Sequence, residues 1–165
     1  MSAPGERDRA DIILLPPLIY LGGLVVGFIV ESWIPTTLGD RALLTLLGVA
    51  GLVAGGLLGA WGDLSMKRAG TSPFPWKPTK AIVDGGPYRF TRNPLYVAQA
   101  LMHAGIAALG DSSWALAALG PVLVVVRYGV IKPEEEYLTR KFGDTYVAYT
   151  RRVGRWLGPG LSRRS

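Results

Sequence analysis

Two polar segments of the sequence carry the residue types that bind charged groups. One is GGPYRFTRNPLY at residues 85–96, and the other is KPEEEYLTRKFGDTYVAYTRR at residues 132–152. The arginines of the first segment can bind a carboxylate through two parallel hydrogen bonds. The glutamates of the second can pair with an ammonium group, and Tyr88 and Tyr96 of the first offer hydroxyls and an aromatic face to a cation. These segments therefore hold the candidate functional residues.

Each group of candidates also has a purely structural interpretation. Residues 134–136 could form the solvated start of a helix, where negative charge is favourable. Arg89 and Arg92 could extend towards lipid phosphates. Tyr146 and Tyr149 could pack their helix against its neighbours. The residue types alone leave these alternatives open.

A polar stripe follows the first segment along the chain. Tyr96, Gln99 and His103 stand at i, i+3 and i+7 and so share one face of a helix. They form either an internal hydrogen-bonded set or the lining of a cavity. Arg127 interrupts the last apolar stretch near its end and could bind an acidic group. His103 is the only histidine and the chain has no cysteine, so no metal site built from several histidines or thiolates is expected.

Four apolar stretches must position these side chains. Residues 12–33 and 42–62 have the length of about 20 residues that crosses a bilayer. A mixed-charge segment precedes the first, and no A-x-A cleavage site follows it, which favours a retained helix over a signal peptide. Residues 94–110 and 114–131 are separated only by residues 111–113, which predicts a tight helical hairpin. The sequence thus predicts an all-α integral membrane protein with about four transmembrane helices.

The end of the chain has a different, amphipathic pattern. Leu138, Phe142, Tyr146 and Tyr149 recur at spacings of four, four and three, which predicts one cytoplasmic amphipathic helix over residues 134–152. The length of 165 residues is enough for one domain and not obviously two, so residues 1–165 are expected to form a single domain.

The basic residues predict the orientation. Residues 63–93 hold six lysines and arginines, whereas the hairpin turn holds none. Four crossings place both termini, residues 63–93 and residues 132–157 on one side, and the positive-inside rule makes that side cytoplasmic. We therefore expect a multi-pass protein of the inner or plasma membrane. The net charge of +6 is explained by this topology, and no nucleic-acid partner is predicted.

The two segments together resemble a known family of membrane enzymes. The matching pieces are G-P-Y-R-x-x-R-N-P-x-Y, followed by E-E-x-x-L-x-x-x-F-G-x-x-Y-x-x-Y, with a lead-in at residues 67–85. This order and spacing resembles the isoprenylcysteine carboxyl methyltransferase-like family, which is related to phospholipid N-methyltransferases. The resemblance covers residues 67–156, and the first two helices match only as membrane spans. One departure is Asn93, where many members have a histidine that can titrate.

The resemblance implies S-adenosylmethionine as the cofactor, held between the last membrane helices and the C-terminal helix in residues 63–93 and 132–157. With Arg127 and the polar stripe added to the residues of the two motifs, the candidate catalytic residues are Arg92, Asn93 and Arg127. The candidate cofactor-binding residues are Gly86, Tyr88, Arg89, Asn93, Pro94, Leu95, Tyr96, Gln99, His103, Glu134 and Glu135.

The implied reaction is methyl transfer at the cytoplasmic membrane face to a lipophilic acceptor drawn from the bilayer. The acceptor would be the carboxylate of a prenylated or fatty molecule, which needs no general base, or a lipid amine in its neutral form. Two alternatives remain. One is a sterol-reductase-like oxidoreductase that uses NADPH, and the other is a membrane scaffold without catalytic activity.

Overall fold

The computed structural model describes residues 14–72 and 79–158, which are helical with no strand. The start of the first predicted span at residues 12–13, residues 73–78 of the lead-in and the basic tail at residues 159–165 lie outside the described residues. The α-helices are α1 (Pro16–Trp33), α2 (Arg41–Arg68), α3 (Pro94–Leu109), α4 (Ser113–Val126), α5 (Lys132–Phe142) and α6 (Asp144–Arg152). A 3₁₀-helix covers Gly86–Arg89, and a π-helix covers Arg127–Ile131.

Three helical segments are long and apolar enough to cross a membrane, namely Pro16–Trp33, Arg41–Arg68 and Ser113–Phe142. Helix α3 has 16 residues. It rises about 24 Å at 1.5 Å per residue, less than the roughly 30 Å of the hydrocarbon core. The all-helical class is confirmed, whereas four complete crossings stay a prediction. Large apolar side chains such as Leu46 and Leu57 are 66% and 68% exposed, as expected for surfaces that face lipid.

Helices α2 and α3 pack through small residues. A Cβ atom at Gly55 would lie 2.7 Å from the Ala98 carbonyl oxygen, and one at Gly48 would lie 2.9 Å from the Gly105 carbonyl oxygen. Neither position therefore accepts a side chain without separating the helices. Such close approach provides the van der Waals contact that holds helices together in lipid. This packing fixes the start of α3, which carries the first polar segment, against α2.

The second half of the chain departs from the predicted boundaries. We expected the fourth helix to end at residue 131, but α4, the π-helix and α5 form one continuous helical segment from Ser113 to Phe142. Pro133 has no N–H to donate to the carbonyl four residues earlier, and the adjoining π-helix is a wider turn that accommodates such a defect. The helix that was predicted to start near Pro133 is thus a continuation of the membrane helix.

The predicted single amphipathic helix over residues 134–152 is also wrong, because it is two helices. The chain turns at Gly143, whose φ of 53° and ψ of −131° favour glycine. The turn brings α6 back, so that Tyr146 and Tyr149 pack with Leu138 and Phe142 of α5. The amphipathic face is therefore folded on itself beside the cleft described below.

Candidate functional site

A cleft lies where α3, α5, α6 and the end of α2 meet. Its cavity volume is about 130 Å³, below the usual range of about 300–1,000 Å³ for ligand pockets, and it opens into a larger space that is continuous with solvent. Its walls are mostly apolar and aromatic, with a few charged groups. The lining residues are Met66, Ser72, Thr79, Ala81, Ile82, Val83, Tyr88, Arg92, Asn93, Pro94, Leu95, Tyr96, Ile131, Glu134, Glu135, Tyr137, Leu138, Tyr146 and Tyr149.

The first polar segment is held in place from two sides. Gly86 has a φ of 59° and packs on α2, where a Cβ atom would lie 3.1 Å from Trp61 Nε1. On the other side, the segment binds the chain after α6. The backbone N–H of Arg92 donates to the Gly154 carbonyl at 2.9 Å, and Asn93 Nδ2 donates to the Arg155 carbonyl at 2.8 Å. Asn93 therefore ties the start of α3 to the C-terminal segment.

Glu135 is an anion shared by two arginines. Arg155 binds it with two hydrogen bonds, Nε to Oε1 at 2.9 Å and Nη2 to Oε2 at 2.6 Å. Arg92 Nη1 lies 2.9 Å from Oε1 of the same carboxylate. The side chains of Arg92 and Glu135 are only 7% and 16% exposed, so water screens this pair little. Hydrogen bonding to Glu135 also raises the pKa of Arg155. The network joins the segment just before α3, helix α5 and the C-terminal segment.

Glu134 has a different environment. Both of its carboxylate oxygens accept from the Tyr96 hydroxyl, at 2.8 and 2.9 Å. Among the described residues no cation forms a salt bridge with Glu134, in contrast to Glu135. A carboxylate has room for about four hydrogen bonds. Glu134 therefore presents a carboxyl group to the cleft with acceptor capacity left.

The tyrosines around the cleft are neutral hydrogen-bonding groups. Burial raises the pKa of Tyr146 to about 12, with the nearby Glu135 charge adding to the effect. Burial likewise raises the pKa of Tyr88 and of Tyr149. The Tyr149 hydroxyl donates to the Tyr88 carbonyl at 2.7 Å and so holds the 3₁₀-helix against α6. These phenols stay protonated at neutral pH and supply aromatic faces without charge.

The structure brings most of the predicted site residues together. Those that line the cleft are Tyr88, Arg92, Asn93, Pro94, Leu95, Tyr96, Glu134 and Glu135. Those that do not line it are Gly86, Arg89, Gln99, His103 and Arg127. The site roles predicted for these last five residues are therefore not supported by a direct contact with the cleft.

The residues outside the cleft have other surroundings. Arg89 is exposed, and its guanidinium carbon lies 5.1 Å from the centroid of the Phe90 ring. His103 is buried, and its Nε2 donates to the Ala115 carbonyl of α4 at 2.9 Å. Arg127 lines a second, shallower groove on the outer side of the α4–α5 segment. For His103 the geometry agrees with the interpretation of a polar residue that joins helices.

Sequence reasoning missed Arg155 and gave Tyr146 and Tyr149 only a packing role. The two tyrosines pack α6 and also line the cleft. Their place in the E-E…Y-x-x-Y motif was the available signal. Arg155 lies in an irregular segment after α6, where no periodicity indicates which way a side chain points, and only its spacing after the second motif could have drawn attention to it.

Comparison with known proteins agrees with this geometry. No curated protein and no solved structure matches the chain significantly. The sequence model of the family described as phospholipid methyltransferase matches residues 43–145, more than half of the chain. The match begins in α2, contains both polar segments as far as the start of α6, and confirms the resemblance found in the sequence. The chain therefore belongs to the phospholipid methyltransferase family.

Proposed function

We propose that this protein transfers a methyl group from S-adenosylmethionine to a lipophilic acceptor at the cytoplasmic face of the membrane. Membership of a methyltransferase family supports the reaction type. The observation that carries the proposal is the cleft itself. It places a carboxylate, Glu134, and a guanidinium, Arg92, between aromatic walls at one end of helices apolar enough to cross a bilayer.

The groups in the cleft fit the charges of the cofactor. S-adenosylmethionine carries an α-ammonium, a carboxylate and a sulfonium. Glu134 has acceptor capacity for the ammonium, because among the residues that the structure describes only the Tyr96 hydroxyl donates to it. Arg92 is suited to the carboxylate, because its Nε is buried and has no hydrogen-bond partner within the described residues. Tyr88 and Tyr146 offer aromatic faces to a positive charge.

S-adenosylmethionine, when bound, supplies a methyl group on a positively charged sulfur, which an acceptor can attack in line. The protein's contribution is alignment and exclusion of water. Tyr96 fixes the orientation of the Glu134 carboxylate through its hydroxyl. The C-terminal segment, bonded to Arg92 and Asn93, holds these two lining residues in place. Apolar walls such as Ile131 and Leu138 keep the local dielectric low, which strengthens the charge contacts.

The acceptor enters from the bilayer in this proposal, because the helices around the cleft expose apolar faces to lipid. The family name indicates a phospholipid, and an amine headgroup must be neutral when it attacks. A carboxylate acceptor needs no deprotonation. Within residues 14–72 and 79–158, the lining contains no histidine, lysine or cysteine that would serve as a general base. Both acceptor types are therefore part of the proposal.

The proposal is tested by ligand binding to purified protein. We expect labelled S-adenosylmethionine to bind in the absence of metal and NADPH not to bind. Incubation of the complex with a total lipid extract should then move the labelled methyl group into the lipid fraction, where mass spectrometry identifies the acceptor.

Each other outcome has a clear meaning. Binding of NADPH alone would replace methyl transfer by the reductase alternative, and binding of neither ligand would favour a scaffold. A Tyr96→Phe variant removes only the hydroxyl that orients Glu134. It should bind S-adenosylmethionine more weakly than the unmodified protein.

The orientation in the membrane is part of the proposal and can be tested with single cysteines, because the chain has none. Gly85 and Arg41 are exposed; Arg41 is the first residue of α2, and Gly85 lies in the loop next to the other end of this helix. We expect a membrane-impermeant maleimide to label Arg41→Cys in intact cells, and to label Gly85→Cys only after the membrane is opened. The opposite labelling pattern would reverse the proposed topology.

A further inference from the structure

A second concave surface, which we call the outer groove, lies along the π-helix and α5, on the helix face next to the one that lines the cleft. Its lining residues are Arg127, Tyr128, Lys132, Glu135, Glu136, Thr139, Arg140 and Arg155. It shares only Glu135 with the cleft. Nothing in the proposed methyl transfer uses this surface.

The outer groove carries an excess of positive charge. Four of its residues are basic and two are acidic. One acid, Glu135, is already neutralised by Arg155 and Arg92. The other, Glu136, lies 3.9 Å from Lys132 in a pair whose side chains are 57% and 64% exposed. Such an exposed pair is worth little, so it does not prevent Lys132 from binding a stronger anion.

The outer groove begins where the apolar part of the membrane helix ends. Helix α4 holds no charged residue between Ser113 and Val126, and Arg127 comes directly after it. The Arg127 guanidinium carbon lies 5.3 Å from the centroid of the Tyr128 ring, which is 58% exposed. Aromatic and basic residues in this position mark the depth of lipid headgroups.

An apolar surface continues from the outer groove towards the membrane. Val124 and Val125, in the last turn of α4, are 57% and 46% exposed. Val124 stands four residues before Tyr128 and so lies on the same helix face. A ligand with a phosphate among the basic residues could therefore lay an acyl chain along this face. A free phosphate ion would use only the polar half of the surface.

We propose that the outer groove binds one anionic phospholipid, with its phosphate between Arg127 and Lys132 and an acyl chain against Val124. This site is separate from the cleft and does not depend on the proposed methyl transfer. Its bound lipid would hold the α4–α5 junction, the π-helix, at the headgroup level of the bilayer.

The experiment is lipid titration of the purified full-length protein in detergent, followed by native mass spectrometry. The probes are dioleoyl phosphatidylglycerol, dioleoyl phosphatidylcholine and inorganic phosphate. We expect one phosphatidylglycerol to bind in preference to phosphatidylcholine. The Arg127→Gln/Lys132→Gln variant should lose about tenfold or more in affinity, because each basic residue near a headgroup contributes attraction. The control is Lys80→Gln/Arg151→Gln, which removes two exposed basic residues elsewhere.

The control variant should keep the affinity of the unmodified protein within about twofold, and Lys132→Gln alone should give an intermediate loss. Equal losses in both double variants would show general charge attraction and overturn the site. Equal binding of phosphatidylcholine, or displacement of the lipid by an equimolar amount of inorganic phosphate, would overturn the assignment to an anionic lipid.

Discussion

Replacement of Glu135 with glutamine is expected to lower the free energy of unfolding by about 3 kcal/mol, since removing one partner of a buried ion pair typically costs 3–5 kcal/mol. The reason is that the buried guanidinium of Arg92 would lose its partner. Arg92 is only 7% exposed and keeps its positive charge when its carboxylate partner is lost. Arg155, 31% exposed, can turn towards solvent instead. The expected shift of the thermal midpoint is on the order of 10 °C.

Two further variants separate this effect from a general loss of charge on α5. Glu136→Gln removes an exposed carboxylate from the neighbouring position and should change the midpoint little. The double variant Arg92→Leu/Glu135→Leu removes both buried charges, and we expect it to be more stable than Glu135→Leu alone. A Glu135→Gln protein as stable as the unmodified one in the same detergent would contradict the central role assigned to this network.

The meeting of the two polar segments was predictable because it depends on helix geometry. A hairpin with arms of similar length returns the chain to the level at which it entered the membrane. The sequence therefore predicted that Tyr96 and Glu135 would line one cleft, and both do. The rise per residue is nearly the same in every α-helix, so this prediction needed only the helix boundaries. The π-helix shifts the register by a fraction of a turn, too little to move the glutamates out of the cleft.

The division of roles between Glu134 and Glu135 could not be predicted in the same way. Adjacent helical residues point about 100° apart, and the partner of each is set by non-local contacts. Glu135 meets Arg155 because the chain after α6 bonds through its backbone to residues 91–93. That contact joins segments about 60 residues apart. No local pattern in the sequence encodes it.

The helix boundaries predicted at Pro133 and Gly143 were wrong for one reason. The local sequence signals at both positions are compatible with more than one backbone conformation. Proline followed by glutamates is typical of a helix start, but a π-helix allows a continuous helix to contain the same residues. At Gly143 the apolar spacing continues through the glycine, so periodicity alone predicted one helix. The positive φ at Gly143 is determined by tertiary structure, because it lets Tyr146 and Tyr149 pack on α5.

Glu134 and Glu135 also differ in what their loss should do to ligand binding. Glu134→Gln is expected to weaken S-adenosylmethionine binding at least tenfold. A hydrogen bond to a charged group is worth roughly 1.5–3 kcal/mol, and about 1.4 kcal/mol corresponds to a factor of ten. Glutamine keeps the size of the side chain and an oxygen that accepts from the Tyr96 hydroxyl. Only the negative charge offered to the ammonium is lost, so the fold should keep its stability.

Isothermal titration calorimetry with S-adenosylmethionine checks this expectation, with thermal unfolding of the same samples as the measure of stability. Glu136→Gln, outside the cleft, is the matched control and should bind like the unmodified protein. Glu134→Gln should therefore lose affinity at an unchanged midpoint, whereas Glu135→Gln should lose stability first. Unchanged affinity in Glu134→Gln would remove this carboxylate from the cofactor site. Weaker binding only in Glu135→Gln, at an unchanged midpoint, would exchange the two roles and place the ammonium beside the arginine-bound carboxylate.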